Sequence, residues 1–83
     1  MNNMKKYYYQ IDFIDEQGYA ICIDTFSSRQ RKKAIEHVNI LNRGNQCLNA
    51  NTYYVLDKYI QYDNYDNDVA LVEENITNAG PIY

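Results

Sequence analysis

Few side chains in this sequence are suited to covalent or metal chemistry: one histidine, His37; two cysteines, Cys22 and Cys47; and the closely spaced aspartates Asp63, Asp66 and Asp68. A nucleophile with a general base would have to pair Cys22 or Cys47 with His37, and neither thiol has a neighbourhood that would lower its pKa. The cysteines also lack metal-ligand spacing. The aspartates invite a calcium loop, but an EF-hand started at Asn64 needs glycine where Val69 stands and a carboxylate where Asn75 stands. No phosphate-cradling glycine loop occurs. These residues predict no catalytic site, no metal site and no small-molecule cofactor, which leaves the chemistry of surfaces.

Two surfaces stand out in the composition. Aromatic residues are 14% of the chain, and they comprise ten tyrosines, two phenylalanines and no tryptophan. Such an aromatic surface is amphipathic and suits strand faces and interfaces. Charge is divided along the chain: residues 1–43 carry seven cations and five acids, whereas 44–83 carry Lys58 against six acids. A chain so polarised favours a partner with a matching patch, or a second copy of itself.

The elements that position these surfaces follow from periodicity. Over 27–44, Ser27 and Gln30 fit a capping box, Phe26 precedes it as a staple, and Ala34, Val38 and Leu41 fall on one stripe with Ile35 beside it. Gly44 is expected to close the helix in a left-handed conformation. The opposite face collects Arg29, Lys32, Lys33, Glu36, Ile40 and Arg43. Four cations, Arg29, Arg31, Lys32 and Lys33, crowd the helix start, where the macrodipole prefers carboxylates. This run reads first as a solvated face, balanced in part by Asp24 and Glu36, and second as a nucleic-acid contact through Arg29, Lys32, Lys33 and Arg43.

Before the helix, Tyr7, Tyr9, Ile11 and Phe13 alternate with Tyr8, Gln10, Asp12 and Ile14, which predicts a strand with its first set toward the helix. After the turn at 15–18, with Gly18 placed for positive φ, Tyr19, Ile21 and Ile23 alternate with Ala20, Cys22 and Asp24 and complete a hairpin. Cys22 is expected to be buried, and Cys47 to lie in a loop or at a strand edge. After the helix, 53–62 reads as a long strand with Tyr54, Leu56, Ile60 and Tyr62 on one face, interrupted only by Lys58, whose stem can lie along apolar surface. An acidic loop follows at 63–68. Over 69–73 a fourth strand competes with a helical stripe of Val69, Val72 and Ile76, and the strand is favoured. The prediction is one 83-residue α+β domain, ββαββ, with an antiparallel sheet of three or four strands, one helix on one face, and flexible ends at 1–5 and 78–83.

The hairpin, then Phe26-Ser27-Ser28, Ala34-Ile35 and Leu41-Asn42, then Tyr53-Tyr54-Val55, resembles a loose class of small phage and bacterial accessory proteins built as ββαβ. The resemblance covers roughly residues 6–60. It departs from that class at Arg29, Arg31, Lys32 and Lys33, where members usually carry acids. It implies a non-catalytic interaction module of a phage or mobile element that binds and modulates or inhibits a host protein complex. The Asn, Tyr, Ile and Lys bias agrees with an AT-rich source.

With one helix covering one sheet face, the other is expected to expose Tyr8, Gln10, Asp12, Ala20, Cys22, Tyr53, Val55 and Tyr59, more apolar surface than solvent requires. The expected partner-binding residues are Tyr8, Tyr53, Tyr59, Asp63, Tyr65, Asp66 and Asp68, with the acidic loop offered as an imitation of a nucleic-acid backbone. The partner is a host protein complex or a second copy, with nucleic acid the lesser alternative. The opening residues lack an apolar signal region and no stretch approaches a membrane span, so the expectation is a protein of the cytoplasm, that of the host if phage-encoded.

Overall fold

The structure is a computed structural model that describes residues 5–46, 48, 51–62 and 68–81. The chain runs β1 (Lys5–Ile14), β2 (Ala20–Ser27), a 3-10 turn (Ser28–Gln30), α1 (Arg31–Gln46), β3 (Tyr53–Tyr62) and β4 (Val69–Glu73). The strands form one antiparallel sheet in the order β2-β1-β3-β4, with the helix on one face, which is the predicted α+β, ββαββ architecture. The competing helical stripe over 69–76 gives way to β4. Because β1 runs antiparallel to both neighbours, β2 and β3 are parallel across it, and α1 is the long connection that such a pair requires.

Alternation places the core. Tyr9 and Ile11 from β1 and Leu56 from β3 meet Ala34 and Val38 of α1, all buried, with Phe26, Ile35, Leu41, Tyr54 and Ile76 packed round them. Lys58 lies among them as its stem allows, its ammonium 5.0 Å from the Tyr7 ring centre and 5.7 Å from that of Tyr9. At the helix start the Gln30 amide oxygen accepts from the Ser27 backbone N–H at 3.0 Å, the reach-back half of a capping box. Gly18 takes the predicted positive φ, +88°, in the β1–β2 turn. Gly44 does not end the helix: α1 continues through it to Gln46.

Two β-bulges change which side chains face the helix. Opposite Ile11 and Asp12 stand Asp24 and Cys22, so Ile23 is an extra residue in β2; opposite Lys58 and Tyr59 stand Glu73 and Leu71, so Val72 is extra in β4. The first bulge overturns the simple alternation expected for β2. It turns Asp24 and Phe26 to the helix side, where Asp24 comes within 3.9 Å of His37 and the Phe26 ring meets the His37 ring edge-on. The second turns Glu73 toward the start of α1.

Beyond β4 the chain follows the part of β3 that β4 leaves unpaired. The Ile76 N–H donates to the Leu56 carbonyl at 2.8 Å. Further along, the helix side chains serve that edge themselves: Asn42 donates to the Tyr54 carbonyl at 2.9 Å and accepts from its N–H at 2.7 Å, and Asn45 donates to the Thr52 carbonyl at 2.8 Å. A strand edge inside the fold is thereby satisfied without another strand.

Candidate functional site

The face of the sheet turned away from α1 is built by cross-strand pairs. Ser27, Tyr8, Tyr59 and Leu71 form one row across all four strands. Within it Tyr8 and Tyr59 stack, with ring centres 5.5 Å apart and planes 19° from parallel. Burial pushes the Tyr59 hydroxyl up to about 12, helped by the neighbouring charges of Asp57 and Asp12, and Tyr8 is raised for the same leading reason. The two rings are half-buried, and Leu71 beside them is 49% exposed.

Below this row the face is acidic and closed. Asp12 and Asp57 are each 7% exposed. Asp12 accepts from the Gln10 amide at 2.8 Å, and Asp57 from the Asn75 backbone N–H at 2.7 Å. Desolvation raises the Asp57 pKa against the pull of the Asn75 hydrogen bond, and the charges of Asp12 and Glu74 add to the rise. A shallow depression of about 240 Å³ remains, bordered by Asp12, Ile14, Tyr53, Val55, Asp57 and Glu74. A second, of about 340 Å³, lies beside Tyr8 and is bordered by Lys6, Thr25 and Gln61.

These positions correct the expected surface. Asp12 and Val55 are buried: they stand opposite each other on the two central strands, and residues 74 and 75 close the Asp57 side. Cys22 is exposed, as expected for the open face and contrary to its expected burial: it stands opposite Asp12 on the outer strand, on the sheet face turned away from α1. Of the expected partner-binding residues, Tyr8, Tyr53 and Tyr59 share the open face. Asp68 is exposed at the start of β4, its carbonyl accepting from the Tyr62 N–H at 3.1 Å. Asp63, Tyr65 and Asp66 lie outside the described residues, as does Cys47. Sequence reasoning missed Leu71 as part of this surface; its signal was the 69–73 alternation, legible once β4 is a strand.

The basic set is more scattered than its spelling suggests. Arg29, Lys32, Lys33 and Arg43 are all exposed, but Arg43 lies about three turns along α1 from Lys32, roughly 16 Å. Arg31, between them in sequence, turns instead to Glu73, with nitrogen–oxygen distances of 2.9 and 3.2 Å. Among the described residues no cluster of three or more His, Cys, Asp or Glu side chains is arranged to hold a metal ion. No helix among them is long and apolar enough to cross a membrane.

No protein-family model matches the chain, no curated protein is similar to it, and no solved structure matches its fold. Its function is therefore argued from its own surface.

Proposed function

We propose that this chain is a non-catalytic protein-interaction module whose contact surface is the open sheet face, centred on the Tyr8–Tyr59 stack and extended by Leu71 and Tyr53. The observation that carries this reading is the stacked pair itself. Two stacked tyrosines with an exposed leucine alongside form an amphipathic platform, the kind of surface that supplies contact area with few rotatable bonds.

The finer form of the proposal is an accessory protein of a phage or mobile element that modulates or inhibits a host complex in the cytoplasm, with the acidic 63–68 segment imitating a nucleic-acid backbone. It rests on the resemblance at 26–42 and 53–55 and on the acidic second half of the chain. Direct nucleic-acid binding by Arg29, Lys32, Lys33 and Arg43 has less behind it, since one cation of the run is held by Glu73 and Arg43 is distant.

Affinity capture from lysate with immobilised wild-type protein, compared with a Tyr8→Lys/Leu71→Lys variant that keeps the wild-type circular dichroism spectrum, tests this reading. A protein retained by the wild type and lost by the variant is expected. Identical captures from both, or retention of nucleic acid that weakens steeply with salt, would overturn it.

A further inference from the structure

We infer that β2 pairs edge to edge with β2 of a second copy of this chain, antiparallel about a two-fold axis, so that two four-stranded sheets join into one. This surface is separate from the open-face platform.

β2 is the outermost strand beside β1, and among the described residues no strand pairs with its far side. An outer strand presents N–H and C=O groups that another strand can satisfy, and proteins blunt such edges with lysine, proline, bulges or inward-pointing charges. β2 has no lysine or proline, and its edge is interrupted only at the Ile23 bulge and Asp24. It carries instead Ile21, 54% exposed, and Ile23, 44% exposed, with Tyr19, 71% exposed, just before it. Its one charge, Asp24, is turned by the bulge to the helix side, 3.9 Å from His37, and its carboxylate accepts from the Thr25 backbone N–H at 2.8 Å, a bond that pairing at Thr25 would exchange.

Charge selects both the occupant and the orientation. Before β2 stands the Asp15–Glu16 turn, and after it stands Arg29, with Lys32 and Lys33 beyond. Antiparallel pairing of two β2 strands brings the basic end of each copy beside the acidic turn of the other, twice by symmetry. Parallel pairing would set like against like. An axis near the bulge at Ile23 pairs 20–22 of one copy with 25–27 of the other and sets Arg29 beside the partner turn. β4, the opposite edge, lacks this complementarity: it has Asp68 at one end and Glu74 at the other, Glu73 being held by Arg31, so its antiparallel self-pairing sets acid against acid. Pairing β2 with β4 would also leave one acid–acid end, and it would propagate instead of closing.

A contact made by one strand edge is at the small end of interface sizes, so the dimer dissociates on dilution. Light scattering coupled to size exclusion, run across a broad concentration range, should show monomer passing to dimer and no larger species. Ile21→Lys/Ile23→Lys, at exposed positions, should be monomeric throughout, while Val72→Lys on β4 should dimerise as wild type does. Arg29→Glu should weaken the dimer at least severalfold, and Glu16→Arg added to it should restore the association. A wild type that stays monomeric at the highest concentration, a dimer that survives the β2 double change, or larger open assemblies would overturn the inference. A monomer that still captures a partner through Tyr8 and Leu71 would leave the open-face proposal standing, so the two failures are distinguishable.

Discussion

Arg31, in the first turn of α1, and Glu73, at the end of β4, meet as a two-pronged ion pair, Nη1 to Oε1 at 2.9 Å and Nη2 to Oε2 at 3.2 Å. Nη1 also donates to the Tyr9 hydroxyl at 3.2 Å. The pair gives the cation at the helix start a partner that local sequence does not supply, and it ties α1 to the far edge of the sheet.

The first prediction concerns that pair. The Arg31 guanidinium holds the Glu73 carboxyl below its ordinary 4.5, so the pair's contribution is present above the carboxylate range and is lost as pH falls through the lowered value. Glu73→Gln should lower the melting temperature at neutral pH, less so at high salt because both side chains are partly exposed, and the difference from wild type should vanish in acid. Thermal melts across pH and salt check this.

Asp57 has the opposite sign. Its carboxyl is raised above the ordinary 3.8, chiefly by desolvation, so the folded state holds this proton more tightly than the unfolded one. Its contribution is fully present below the ordinary value and declines as pH rises through the raised one. Asp57→Asn keeps an oxygen for the Asn75 N–H and removes the charge beside Asp12 and Glu74; its stability at neutral pH should equal or exceed that of wild type. Asp57→Ala leaves the Asn75 amide without its partner and should cost about 1–3 kcal/mol in denaturant unfolding.

Asn42 stands in for a missing strand. It bonds both the N–H and the carbonyl of Tyr54, at 2.7 and 2.9 Å. Asn42→Ala should destabilise by about 1–3 kcal/mol, whereas Asn39→Ala, exposed on the same helix, should stay within about 0.5 kcal/mol. Parallel urea titrations of the two variants make the comparison.

Tyrosine ionisation reads the open face directly. Tyr59 should be among the last of the tyrosines to ionise, near 12, and Tyr59→Phe should remove that late step from an ultraviolet titration. Asp57→Asn should move it downward only in part, because desolvation is the leading cause and the Asp57 charge comes second.

Much of this molecule was readable from its residues. The Ala34–Val38–Leu41 stripe, the alternation at 7–13 and 54–60, and the capping residues Ser27 and Gln30 depend on neighbours a few positions away, so the helix, the hairpin and the α+β class follow from local pattern. Tyr8, Tyr53 and Tyr59 were assigned to one face by the same parity. Gly44 misled because helix continuation after it depends on anchors at Asn42 and Asn45, which bond to β3 and hold the last turns in place.

What the residues alone decided is therefore the set of elements and most of their inward faces. Tertiary structure decided the rest: that β1 and β3 are the central pair, that Asp12 and Asp57 are buried on the open face, and that extra residues at Ile23 and Val72 turn Asp24, Phe26 and Glu73 toward the helix. The physical reason is range. Helical and strand periodicity is imposed by backbone geometry over a few residues, whereas a bulge exists only relative to the strand opposite it and leaves no mark in its own segment's alternation.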